Sequence, residues 1–140
     1  MNENVIGQAP VRLSTLSRVR PWLGTGLTGL VVLFLAFDGI TKVIRVAPVV
    51  EACQKLGIGP DLMVGIGIVL LACTAIYATP RTAVLGAILL TGYLGGAAWL
   101  HISVRSGIFP TVFAIGFGVL VWVGLGLREP KLFRWILSRR

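Results

Sequence analysis

Acidic side chains are scarce: Asp and Glu number 5 in 140 residues, against 13 Lys and Arg. Charged residues make up 13% of the chain, where a soluble domain carries about 25%. With 56% hydrophobic residues beside them, that shortage excludes an ordinary water-soluble globule, and the surplus apolar surface must face lipid. Histidine occurs once and cysteine twice. One imidazole without a thiol or carboxylate cluster makes neither a metal centre nor a bis-histidine haem site. No Ser-His-Asp or Cys-His set is present, so no catalytic residue is assigned. The Gly-x-Gly patterns fall inside apolar runs rather than between a strand and a helix, which excludes a phosphate-cradling loop. No basic patch interleaved with aromatics points to nucleic acid, and there is no internal repeat.

What the chain has in abundance is long apolar segments. They run from about Trp22 to Ile44, Leu62 to Ala78, Thr82 to Leu100 and Phe109 to Leu127. Crossing the hydrocarbon core takes roughly 17–25 such residues in a helix, and all four reach that length. The 18 glycines do not argue against helix, since Gly is common in membrane spans. A cleaved signal peptide would use Arg12, Arg18 and Arg20 as its n-region. The first apolar stretch exceeds the ~7–15 residues of an h-region, however, and no A-x-A-like site closes it, so it is read as a retained helix.

Short links, "ATPRT" and "ISVRSGIFP", force neighbouring antiparallel helices. The predicted fold is therefore an all-α membrane protein, a four-transmembrane-helix up-down-up-down bundle. Its only long connection contains "APVVEACQKLG", with Val49, Val50, Cys53 and Leu56 on one face and Glu51, Gln54 and Lys55 toward the other. Pro48 suits a first turn and Gly57 an end, which predicts a short interfacial helix between the first two spans. Residues 1–21 form a polar lead, 22–127 the bundle, and 128–140 a basic tail. In that tail Phe133, Trp135, Ile136 and Leu137 either lie on the membrane surface or belong to a simple basic end.

With four spans, Arg12, Arg18, Arg20, Arg81, Arg128, Lys131, Arg134, Arg139 and Arg140 share one side. Lys42, Arg45, Lys55 and Arg105 take the other. By the positive-inside rule both termini are expected in the cytoplasm of a bacterial-type inner (plasma) membrane, with anionic lipids as neighbours. Small residues show where helices approach: Ala83, Ala87, Thr91 and Gly95; Gly92 and Gly96; Gly116 and Gly124; Ala114 and Gly118; Gly24 and Thr28; Thr25 and Gly29. Packing within the bundle is one use for them, and a homodimer is another. Cys53 lies in the connection, while Cys73 is about 16 Å into the second span. A disulfide needs Cα atoms within about 7 Å, so both are read as buried free thiols.

The ionisable residues within spans are Asp38, Lys42 and His101. Asp38 and Lys42 stand in the favourable i,i+4 order for an ion pair. By helical rise Asp38 lies ~24 Å past Trp22 and His101 ~28 Å past Thr82, so both reach the end of the bundle that holds the long connection. Lys42, Arg45 and Arg105 share that level. One reading is structural: the pair neutralises itself and locks the first span against the third. The other is a polar pocket, in which His101 and Lys42 hydrogen-bond a carbonyl head while Tyr93 and Trp99 flank it. The candidate ligand-binding set is Asp38, Lys42, Tyr93, Trp99, His101 and Arg105, with no metal, and a quinone is the cofactor considered.

Several strings bear a likeness to a known family. "FDGITKVI", "PVVEACQKLGI", "TPRTAVLGAILLTGYLGGAAWLHI" and "GLREPKL" resemble the DoxX-like group of the DoxX family over about Phe34 to Leu132. On the matching positions Gly39 and Lys42 form the G-x-x-K element, Pro80, Arg81 and Thr82 the hairpin motif, and His101 the family histidine. The resemblance implies a small four-helix membrane protein, with some relatives linked to quinone-dependent or thiol and sulfur redox complexes. On that basis the chain is expected to be an accessory or assembly subunit of a membrane redox system. A quinone or small-lipophile binding subunit and a small proton-coupled exporter are the alternatives. Relatives often carry a Glu where this chain has Leu70, so a role for that acid would be absent here or moved to Asp38.

Overall fold

The computed structural model describes residues 9–129, with side chains described from residue 19 on. The tail residues Phe133, Trp135, Ile136 and Leu137 lie outside the described residues. Five helices follow one another: α1 (Ala9–Val43), α2 (Ala47–Lys55), α3 (Pro60–Ala78), α4 (Ala83–Ser103) and α5 (Ile108–Arg128). Among the described residues there is no strand. Four stretches are long and apolar enough to cross a membrane: Val19–Val43, Pro60–Ala78, Ala83–Ser103 and Ile108–Arg128. The polar lead differs from a simple coil, since it is helical from Ala9 and Pro21 sits inside α1.

The four long helices close a ring in which α1 and α4 each pack on both α3 and α5. The diagonal helices α1 and α4 do not pack on each other. The core is a column of apolar residues that includes Val31, Leu35, Leu70, Tyr77, Leu90, Val121 and Leu125. Leu70, considered above as the place of a missing acid, is fully buried in that column.

Close approach between backbones is needed where no hydrophobic force drives helices together in lipid. It occurs at particular glycines. A Cβ on Gly86 of α4 would lie 2.3 Å from the Tyr77 backbone of α3, and one on Gly24 would lie 2.6 Å from Arg128 N. Gly67 of α3 meets Gly39 O of α1 in the same way, at 2.9 Å. Gly24, Thr28, Ala83, Ala87, Ala114 and Gly124 are buried as their spacing suggested. Gly29, Gly92, Gly95, Gly96, Gly116 and Gly118 have open space where a Cβ would stand, so these members of the small-residue pairs do not serve contacts within the bundle.

The interfacial helix is α2. Pro48 stands in its first turn, Cys53 is buried, and Glu51, Gln54 and Lys55 are exposed. Gly57 leaves it with φ +77, a backbone region that favours glycine. Helices α1 and α4 end alike, on arginines in the left-handed region: Arg45 at φ 57 and Arg105 at φ 51. After each, a backbone N–H reaches back five residues, from Val46 to Thr41 O and from Ser106 to His101 O, both at 3.1 Å. These are Schellman-type ends. They fix the two turns that frame the connection end of the bundle.

Candidate functional site

A cavity of about 630 Å³ opens at the connection end. It lies between the diagonal helices α1 and α4, with α5 as a further wall and α2 over it. Four of the six expected ligand-binding residues line it: Asp38, Lys42, Tyr93 and His101. Trp99 and Arg105 do not. Trp99 is 67% exposed and faces away from the bundle, at the level where tryptophans anchor spans to the interface. Arg105 is exposed in the turn that ends α4.

Lys42 Nζ donates to Asp38 Oδ2 at 2.5 Å, one helical turn back. The lysine side chain is the more covered partner, at 15% exposure against 37% for Asp38. Its stem lies on Gly67 of α3, where a Cβ would come within 2.9 Å of Lys42 Cβ. The pair is thus internal to α1 and backed by α3. It does not lock α1 against α4, because those helices stand across the cavity from each other. Helical geometry makes such a charge tolerable near a membrane edge: each ion has its partner on the same helix, and the lysine stem reaches along the span.

Across the cavity, His101 is held by the turn that follows it. Its Nδ1 lies 2.8 Å from Ser106 Oγ, and the Ser106 hydroxyl also lies 3.2 Å from His101 O. These two contacts set the character of Nε2. If the hydroxyl donates to the carbonyl, Nδ1 carries the proton and Nε2 is an acceptor. If the hydroxyl donates to Nδ1, Nε2–H is a donor. Two turns earlier on α4 the Tyr93 hydroxyl makes no hydrogen bond to the described residues. A phenol in an apolar wall ordinarily finds a partner, so this one is available to a guest.

The opposite wall is aromatic. Phe109, Phe113 and Phe117 recur every four residues on α5 and line the cavity together with Phe34 of α1. Ring centroids are 5.9 Å apart for Phe109–Phe113, 4.9 Å for Phe113–Phe117 and 4.5 Å for Phe34–Phe117. Sequence reasoning missed this ladder, though its four-residue spacing is the signal that would have found it. Cys53 was not expected here either. It lies on the underside of α2, 6% exposed, and lines the cavity with the others. Burial pushes its thiol above the ordinary range, with Lys42 opposing and Asp38 adding to the rise. Cys73 is free and buried in the core of α3. Among the described residues no group of three or more His, Cys, Asp or Glu could hold a metal ion.

Chemically, the arrangement offers one cation, one phenol and one imidazole nitrogen to a polar head, and a row of tilted aromatic rings to a flat body. The chain matches the DoxX-like family over residues 26–124, a stretch that contains every cavity residue named above. Neither a curated protein nor a solved structure matches it.

Proposed function

The chain belongs to the DoxX-like family, and on that premise we propose that it binds a small lipophile with a flat polar head, of the quinone class, in the connection-end cavity. The observation that carries this reading is the convergence of Lys42, Tyr93 and His101 on an aromatic-lined space of about 630 Å³. Ligand sites fall in the range of about 300–1,000 Å³ and combine apolar walls with a few placed polar groups. Lys42, tethered to Asp38, and His101 would hydrogen-bond a carbonyl head, and the phenylalanine ladder would take the ring. Since the site presents no catalytic set, the protein acts as an accessory subunit of a membrane redox system, holding a ligand that a partner enzyme oxidises or reduces.

The excess of Arg and Lys on the terminal side supports an inner-membrane location with both termini in the cytoplasm. A proton-coupled exporter has less support, because its acid would have to exchange freely and Asp38 is already bound to Lys42. The test is direct titration of the purified protein in mild detergent with a short-chain benzoquinone. Hydrogen bonds involving a charged group contribute about 1.5–3 kcal/mol, so Lys42→Ala should weaken binding roughly ten- to a hundredfold, and His101→Ala less. Unchanged binding in both variants would sink the proposal.

A further inference from the structure

A second hollow, of about 730 Å³, runs along the outer surface of the α4–α5 contact. Gly95 and Gly118 line it, and a Cβ on either would meet nothing within 4 Å. These glycines therefore leave a trough instead of seating a helix of the same chain. Trp122 forms one side, and its indole N–H is turned onto Thr91 Oγ1 at 2.9 Å. The trough thus presents carbon along its length. From Ala114 to Leu127 it follows ~20 Å of α5, comparable with one leaflet of a hydrocarbon core ~30 Å thick.

The end of the trough is different. Arg20 of α1 lines it, at the level where α1 meets Leu127 and Arg128 through Gly24. Arg128 Nε and Nη2 are buried there without a hydrogen-bond partner. Among the described residues neither arginine is in an ion pair. One guanidinium, that of Arg20, thus stands at the mouth of an apolar trough as deep as one leaflet, with Arg128 at the same level and no acidic partner for either among the described residues. We propose that the trough holds an acyl chain of an anionic glycerophospholipid whose phosphate lies against Arg20, with Arg128 adding positive potential. Arginine suits this role because its fork of N–H groups matches phosphate oxygens. A second copy of the chain is the poorer occupant. Docked about a two-fold axis along the membrane normal, it would bring its own Arg20 and Arg128 to the same level and leave like charges facing each other.

Native mass spectrometry of the full chain, released from nanodiscs of phosphatidylglycerol or phosphatidylcholine with identical acyl chains, tests this. The wild type should retain one phosphatidylglycerol and release phosphatidylcholine. A juxtamembrane cation is worth about five-fold in anionic-lipid binding, so Arg20→Gln should lower retention by about that factor. Gly118→Leu should empty the site with the melting temperature unchanged, because open space surrounds that position. Equal retention of the two lipids, or retention undiminished in Gly118→Leu, would overturn the proposal. So would a wild-type dimer that Gly118→Leu converts to monomer, which would assign the trough to a second copy.

Discussion

The two ends of the bundle are packed unequally. At the end away from the connection, backbone meets backbone: Gly86 sits against Tyr77, Gly24 against α5, and the Tyr77 hydroxyl donates to Val121 O at 2.8 Å inside the core. At the connection end α1 and α3 still meet closely, at Gly39 and Gly67, but α1 and α4 stand far enough apart to leave a cavity of about 630 Å³ lined by an ion pair, a phenol, an imidazole and four phenylalanines. In lipid, association rests on close contact rather than on expulsion of water. The contacts at Gly24 and Gly86, with the α1–α3 seam through Gly39 and Gly67, therefore hold the ring together, which leaves the space between α1 and α4 at the connection end open. Close packing and open space are thus shared unequally along the bundle axis.

The largest expected effect breaks the closed end. Gly86→Val places a branched side chain where a Cβ already lies 2.3 Å from backbone atoms of Tyr77, and backbone cannot step aside as a flexible side chain would. We expect a loss of about 3 kcal/mol or more, read as a failure to refold or a large drop in melting temperature in detergent. Gly96→Ala, on the cavity wall where a Cβ meets nothing, should leave stability unchanged. Equal losses at both sites would erase the division between the ends.

Next in size is the hydroxyl of Tyr77. Tyr77→Phe removes a buried hydrogen bond and should cost about 1–2 kcal/mol in unfolding titrations. Its neighbour in the same layer makes the control. Thr28 Oγ1 is buried beside the Tyr77 hydroxyl, which is turned to Val121 O, and finds no well-formed hydrogen bond among the described residues, so Thr28→Val, which keeps the shape and deletes that group, should be neutral or stabilising. A loss at Thr28 as large as at Tyr77 would show that the hydroxyl is satisfied after all.

Much of this arrangement is legible in the sequence, and the misses have a common cause. Span lengths, the short links and the amphipathic α2 follow from hydropathy, and depth follows from helical rise. Depth arithmetic thus placed Asp38, Lys42 and His101 at one level. It says nothing about angle. Trp99 and His101 share a level, but two residues turn a helix by about 200°, so one faces the cavity and the other faces out. In a soluble protein the polar stripe would reveal that phase, whereas spans that are apolar all round carry no such mark. The same blindness hid which glycines are closed: Gly39, Gly67 and Gly86 touch a neighbouring helix, while the regular Gly92 and Gly96 pair does not. Arg105 reaches the expected level but lies off the cavity, since the helix ends just before it in a left-handed turn.

A smaller effect is expected from the ion pair at the open end. A double-mutant cycle of Asp38→Asn and Lys42→Met should return a coupling of about 0.5–1 kcal/mol, modest because Asp38 is 37% exposed and water screens it. The pair between Arg45 and Asp61, with Asp61 98% exposed, should return nothing measurable in the same assay. A coupling of several kcal/mol at Asp38–Lys42 would mean that this pair holds the fold, and that the open end is not spared for binding.

The smallest expected change leaves stability alone and reads only the cover over the cavity. Cys53 is buried beneath α2, and that burial raises the pH at which its thiol ionises. The thiolate is the species that reacts, so at a given pH the folded protein holds less of it than the unfolded chain does. In a Cys73→Ala background, maleimide labelling of the folded protein should be slow at neutral pH. It should accelerate only as pH rises beyond the range in which the denatured protein already labels fully. Lys42, which favours the thiolate, pulls the profile down, and Lys42→Met should therefore move it to higher pH still. A short-chain benzoquinone seated against the same wall should slow labelling further without moving the melting temperature of the closed end. A folded-state profile that overlays the denatured one would show that α2 does not cover the site, and the open end would then be a surface cleft rather than a chamber.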